Sequence, residues 1–423
     1  MRNLNHPRTF APRLFAAALL LATAANALAE VHYVDLNSTN ATPPYTNWAT
    51  AATKIQDAVD AAVAGDEIVV TNGTYATGGR GIPGTYFIVF VDKALCLRSA
   101  SGPQFTSITG SGDAACAYVT DGATLSGFSL TNGFARCVNG GGVVCASASA
   151  FVSNCVITHN LVYSDCGSIC GGGAYRGTLN NCTLTSNSAV TSNATTYADA
   201  RGGGAYGCTL NNCALTSNSV SVTTTLPLDM RFAQGGGAAY CTLNNCTLSK
   251  NLATAIAGHS SFAEADGGGA YVCTLNNCIT FGNVIGLSLR SGACEDCGWD
   301  PRFIDLAAGN LRLQSNSPCI NAGWNGGAPT GPDLDGNPRI VAGTVDIGAY
   351  EFQSLDVLNF GVVSNQFGFN VTGQSNWVIV LETTSNYTNW TALATNTLSG
   401  SPFPFRDAVP PNLPQRFYRA RME

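Results

Sequence analysis

The chain has 423 residues, only 11% of them charged, with 20 Lys and Arg against 26 Asp and Glu, and it carries 17 cysteines. The acidic balance and the lack of any Lys/Arg cluster exclude nucleic acid as a natural partner, because phosphate backbones are held by dense positive charge. With charge so sparse and Gly, Ser, Thr, Asn and Ala so common, the surface has to be built from neutral polar groups, which suits a regular β surface better than a helical one.

Residues 1–29 hold Arg2, Arg8 and Arg13, the apolar run "LFAAALLLATAA" and a small-residue site at Ala27-Leu28-Ala29. This reads as a secretory signal removed before Glu30, which makes the mature protein secreted or cell-surface. Without those arginines, 17 basic residues face 26 acidic ones, a net charge of −9. No cysteine precedes Cys96, which excludes cleavage at a lipoprotein cysteine, and no later apolar run reaches the ~18 residues that span a bilayer. Next, "AATKIQDAVDAAVAGDEIVV" predicts a short amphipathic helix with the apolar stripe Ile55, Val59, Ala62 and Val63, then Gly65-Asp66 and the strand "EIVV".

The middle of the chain repeats. Glycine triplets begin at Gly140, Gly171, Gly202, Gly235 and Gly267, at spacings of 31, 31, 33 and 32 residues. Each is followed by a C-x-x-x-x-N element, from Cys155–Asn160 through Cys182–Asn187, Cys213–Asn218 and Cys246–Asn251 to Cys278–Asn283. In "GGGAYGCTLNNCALTSN" (Gly202–Asn218), Tyr206, Cys208 and Leu210 alternate as the inward face of a strand should, and Cys213 and Leu215 resume the alternation after Asn211-Asn212. The Asn pair is a corner, since Asn tolerates the left-handed backbone that corners need. A unit of this length with short strands and no helical pattern buries its apolar side only by stacking on the next copy. A parallel β-solenoid is predicted, with Asn, Cys, Leu and Tyr each forming a ladder. Asn212, Asn245 and Asn277 are expected to bond amide to amide, and Cys182, Cys213, Cys246 and Cys278 to form one inward column of thiols. Glycines would serve where a side chain collides. The loop pairs Cys166/Cys170 and Cys294/Cys297 are the expected disulfides of an oxidising compartment.

Three variable segments, Ser188–Arg201, Ser219–Gln234 and Leu252–Asp266, leave their coils at the same point and should gather on one side. Together they bring Tyr197, Asp199, Arg201, Asp229, Arg231, Phe232, His259, Phe262 and Asp266 into one lateral patch, with Glu264, Asp165 and Arg176 beside it. Three readings of this patch stay open: solvated loop residues, a glycan-binding face of aromatic rings and polar groups, and a groove whose carboxylates do acid/base work. Smaller signals weigh little. "CEDC" (Cys294–Cys297) lacks the second pair that zinc requires. "DLDGN" (Asp333–Asn337) starts like a calcium loop, but its twelfth position is Thr344, where a bidentate Glu is required, so a turn is expected and no cofactor is assigned. His32, His159 and His259 occupy unrelated repeat positions.

On these residues the region 31–352 resembles the right-handed parallel β-helix, or pectin-lyase-like, superfamily, whose members often cap the first coil with a short helix. "DPRFID" (Asp300–Asp305), "SPCINAG" (Ser317–Gly323), "DLDGNPRI" and "VDIGAYE" (Val345–Glu351) are similar to the ending of the group called choice-of-anchor Q proteins, exported bacterial proteins with a variable C-terminal anchor. The resemblance implies location more than chemistry. The catalytic strings of polygalacturonase-type members do not occur in this chain, and no Asp cluster matches the calcium site of pectate-lyase-type members. The expected fold is therefore all-β. A signal peptide (1–29) precedes a right-handed parallel β-helix with a short N-terminal capping helix and an end-cap segment (30–352). A small all-β domain (355–423) follows, read from "FGFNVTG", "WVIVLETT", "NWTAL" and "RFYRARME". The expected function is non-catalytic binding of a polysaccharide or surface glycan by a monomer without a membrane span. A polysaccharide lyase or glycoside hydrolase is the alternative.

Overall fold

The computed structural model describes residues 29–423 except 83, 193–198, 225–229, 258–261, 288–299, 342, 354, 364–365, 374–376, 400–401, 409–414 and 423. The expected signal peptide therefore lies outside the described residues, as do Cys294 and Cys297. Three sheets of nine, eight and eight strands run along a parallel β-solenoid, and each repeat adds one short strand to each sheet. Pairing is parallel and in register throughout, apart from one hairpin, Arg80–Ile82 with Thr85–Val91.

The ladders form as the repeat demands. Leu179, Leu210 and Leu243 stack in one column and Leu184, Leu215 and Leu248 in another, all fully buried. Each such side chain contributes roughly 1.5–3 kcal/mol of apolar burial. Cys155, Cys182, Cys213 and Cys246 are buried beside them, and the amide of Cys246 donates to the Cys278 sulfur at 3.4 Å. The thiols of Cys182, Cys213, Cys246 and Cys278 each donate to the carbonyl two residues back, at 3.3–3.4 Å, so the column is satisfied without bridging. Burial pushes the Cys116 and Cys145 thiols up to about 12, which keeps them protonated and inert. One disulfide is present among the described residues, and it differs from expectation. Cys166 bonds Cys137 of the preceding coil, while Cys170 sits in the next strand with its amide donating to Asn139 and its thiol free.

Asparagine builds two other ladders than the one expected. At the corner, Asn181, Asn212, Asn245 and Asn277 are left-handed (φ 50 to 53°), but their neighbours Asn180, Asn211, Asn244 and Asn276 form the outer amide row, each link 2.8 Å. Inside, Asn160, Asn187, Asn218, Asn251 and Asn283 chain amide to amide at 2.9–3.0 Å. Only Asn277 and Asn245 pair as predicted, at 3.2 Å. Asn212 and Asn245 instead donate to the carbonyls of Pro332 and Asp346 in the segment after the coils.

That segment, 300–352, lies along the flank of the coils. Ala349 donates its amide to the Thr247 hydroxyl and Gly348 to the Asn277 carbonyl, while Phe303, Leu311 and Leu313 cover Ala214 and Ile279. Internally it is held by buried carboxylates that accept backbone N–H groups. Asp333 takes those of Asp335, Asn337 and Glu351, Asp346 those of Asn321 and Phe352, and Glu351 those of Val341 and Asp346. "DLDGN" is thus a turn whose first carboxylate is committed to backbone.

At the other end, the helix Ile55–Ala61 buries Ile55, Ala58 and Val59 against the first coil, and Gln56 clamps the backbone of Phe90 through both amide atoms. Val63 falls beyond the helix and is 57% exposed, so it leaves the predicted stripe. The tail forms two three-stranded antiparallel sheets around Phe369, Val371, Ile379, Leu381 and Phe405.

Candidate functional site

The glycine triplet divides each coil into two lobes. A Cβ on Gly203 would lie 2.2 Å from the Ser219 carbonyl oxygen and 2.5 Å from that of Gly236, and one on Gly204 would lie 2.5 Å from the Gly237 oxygen and 3.0 Å from the Asn218 amide. Real Cβ atoms do not approach so closely, so only glycine lets the returning chain press against the Asn ladder. On one side of this pinch is the main core. On the other the three variable segments, expected to be loops, extend the coils into a side arm made of two further parallel sheets. The outgoing strands lengthen from Phe134–Arg136 through Leu161–Ser164 and Ser188–Ser192 to Ser219–Thr224 and Leu252–Ala257. The returning strands are Ile169–Cys170, Ala200–Arg201, Met230–Gln234 and Phe262–Asp266. Between them lies a separate core of small residues, including Ala189, Ala200, Val220, Val222, Ala233, Ala253 and Ala265.

This sheet sorts the predicted patch. Register puts Asp199, Phe232 and Glu264 in line, and Arg201, Gln234 and Asp266 in a second line, both on the face opposite the buried alanines. Asp199 and Arg201 pair at 2.5 Å; Asp199 also accepts the Phe232 amide at 3.0 Å, and Arg201 donates to the Gln234 side chain at 2.8 Å. The Asp199 carboxylate is 1% exposed and committed, whereas Arg201, Phe232, Glu264 and Asp266 are half-buried. Arg231 has the opposite parity and is fully buried. Phe262 pairs with Met230 in register. The Phe262 side chain, Tyr197, Asp229 and His259 lie outside the described residues. Of the outlying candidates, Asp165 pairs with Arg136 at 2.7 Å and Arg176 stands 5.1 Å over the Tyr175 ring.

Across the glycine triplets from this face stands a column that sequence reasoning placed on the wrong side. Tyr206 points outward, because Ala205 is the buried residue of its strand and Gly207, at φ +64°, resets the parity before Cys208. Tyr175 and Tyr206 are in register and stacked, with centroids 5.7 Å apart and planes 7° from parallel. The next coil has Ala239 at the tyrosine position, yet Tyr240 swings its ring back to 5.5 Å from Tyr206 and 5.8 Å from Tyr271, and is 43% exposed. The row therefore continues through a coil whose sequence is shifted by one. Phe90 and Tyr118 stack at 4.5 Å on earlier coils of the same column. The available signal is the "GGGAY" string that recurs at Gly171–Tyr175, Gly202–Tyr206 and Gly267–Tyr271, which fixes the outward parity once the triplet is known to bend the chain.

The two faces sense each other electrostatically. Burial raises the Tyr206 phenol, helped by the neighbouring Cys170 thiol and opposed by Arg201. Burial also raises Tyr271, together with Tyr240 and Asp266 and again against Arg201. Burial pushes Cys170 itself up to about 11. The Tyr206 and Tyr271 phenols, both held above their ordinary value, stay protonated at neutral pH and can act as hydrogen-bond donors. Among the described residues one group has metal-binding proximity, Cys137, Asp165 and Cys166, and its two sulfurs are joined in the disulfide, which removes both thiolates. No helix among the described residues is long and apolar enough to cross a membrane.

No protein-family model matches the chain, and neither does any curated protein sequence. Among solved structures the chain is similar to one described as "Rhamnogalacturonan lyase", at TM-score 0.33 and 12% identity over 60% of this chain and 69% of that chain. It is also similar to "Crystal structure of pectate lyase Pel9A", at TM-score 0.37 and 15% identity over 76% of this chain and 96% of that chain.

Proposed function

We propose that the protein is an exported β-solenoid that binds a polysaccharide or surface glycan, without cleaving it, along the tyrosine column and the adjoining Arg201–Asp266 face. The observation that carries this reading is the unbroken row Tyr175, Tyr206, Tyr240 and Tyr271, repeated coil by coil along the axis. A linear polymer presents the same groups at regular intervals, and a surface with one aromatic and one polar contact per coil meets it in the same way at each step. Phenol rings provide apolar contact area at small entropy cost, and their hydroxyls, with Arg201, Gln234 and Asp266, supply donors and acceptors for sugar hydroxyls. The signal-like N-terminus and the ending similar to choice-of-anchor Q proteins support action outside the cell. A glycan array and a polysaccharide panel on the mature protein test the reading, with reducing and unsaturated sugar ends assayed in parallel. Retention of at least one polymer without new ends is expected. Release of such ends would identify a lyase or hydrolase instead, and retention of none would reject glycan binding.

A further inference from the structure

On the flank away from the tyrosines, the outer asparagine row and the segment 300–352 enclose a cleft of about 430 Å³, within the size range of small-molecule sites. Asn154, Asn180, Asn181 and Asn212 form its floor, and Pro329 and Pro332 its wall. No charged side chain lines it. Asn212 is 2% exposed, and its Nδ2 donates to the Pro332 carbonyl at 2.9 Å. Its Oδ1 has no hydrogen-bond partner among the described residues. A buried acceptor left so costs about 1–3 kcal/mol until a donor reaches it, and such atoms are rare.

The other amides are arranged to be used. Asn180 ends the outer row: its Oδ1 accepts from Asn211 at 2.8 Å, and its own amino group has no acceptor among the described residues. An amide at the end of a hydrogen-bonded chain is polarised by the links behind it. Asn154 and Asn181 hold left-handed backbone (φ 51 and 53°) at successive corners. The cleft therefore offers both donors and acceptors, one buried acceptor in want of a donor, and flat apolar proline rings opposite.

We infer that this cleft is a second binding site, separate from the tyrosine face, and that its ligand is a neutral saccharide. An anion would be repelled by the Asn212 oxygen, and a cation would find no carboxylate in the lining. A hydroxyl both donates and accepts, and the C–H face of a sugar ring matches the proline wall.

The test is calorimetric titration of the intact protein with cellohexaose, xylohexaose, mannohexaose and hexagalacturonate. A host variant carrying Tyr175→Ala and Tyr206→Ala is titrated alongside, so that the outcome does not depend on the tyrosine face. At least one neutral hexasaccharide should bind both proteins. Adding Asn154→Gly and Asn181→Gly, which keep the left-handed corners, should weaken that binding about tenfold through the lost amide bonds. Asn181→Asp, which keeps shape but replaces the amino donors by a carboxylate, should act in the same direction. The inference is overturned if no neutral hexasaccharide binds the host variant, or if the asparagine variants retain full affinity. It is equally overturned if hexagalacturonate binds as tightly and is lost with the same substitutions.

Discussion

The main coil and the side arm share one register but are filled with different side chains. The main core stacks Leu179, Leu210 and Leu243 with columns of cysteine and an internal asparagine ladder, whereas the arm closes over Ala200, Ala233, Ala253 and Ala265 with a few valines. Both are parallel β structure with every coil in line. Small residues let the two sheets of the arm approach, and the little apolar area that they bury makes the arm the weaker unit. The two units meet at the glycine triplet, where there is no room for a Cβ.

Three substitutions break this comparison at different strengths. Gly203→Val should be the most damaging, because the obstructing atoms are backbone carbonyls, that of Ser219 in the same repeat and that of Gly236 in the next; we expect a loss above about 4 kcal/mol in denaturant titration. A variant that melts within a few degrees of the parent would mean that the pinch is looser than described. Leu215→Ala in the main core should cost about 2–5 kcal/mol and lower the melting temperature of the whole solenoid. Ala233→Leu should cost about 1–3 kcal/mol by overpacking. Its damage should be confined to the arm, so hydrogen exchange should accelerate in residues 188–192 and 219–224 while the Leu210 and Leu243 strands stay protected. Uniform acceleration would show that arm and coil form one cooperative unit.

A smaller, pH-dependent effect distinguishes the flanking segment from both. Burial raises the Glu351 carboxyl from 4.5 to about 7, so the native state favours its protonated form. The stability that it contributes is complete below pH 4.5 and is lost as pH rises through about 7. Protection of the Asp346 and Val341 amides, which donate to Glu351, should therefore fall across that window once intrinsic exchange is corrected for. Glu351→Gln should flatten the slope; an unchanged slope would assign it to Asp333 or Asp346, whose carboxyls burial also raises.

What could be read in the sequence follows side-chain size and repetition. The Cys and Leu columns were legible because large apolar letters recur at one spacing, and the fold followed from them. The arm reads as loops in the sequence because Ser-Ala-Val-Thr alternation carries little hydrophobic contrast, although Ala189 and Val220 face inward as strictly as any leucine. Alternation alone puts Tyr206 in the interior, because a single left-handed glycine, Gly207, separates it from Cys208 and such a parity reset leaves no mark in hydropathy. The repeat spacing matches Asn212 with Asn245, yet their amides reach a segment about a hundred residues away, a contact that no local spacing encodes. In the predicted patch, proximity of Asp199, Arg201, Phe232 and Asp266 followed from the repeat. The burial of Asp199 and Arg231 depends on which face of the arm strands each occupies, and that required the register.

The central claim is that the tyrosine row is the glycan-contacting surface, and affinity electrophoresis through gels containing the retained polysaccharide tests it most directly. Tyr206 and Tyr240 point away from the leucine and cysteine columns, so Tyr206→Ala with Tyr240→Ala should melt close to the parent yet migrate as freely in the polysaccharide gel as in the blank one. A double variant that is still retarded as strongly as the parent would contradict the account.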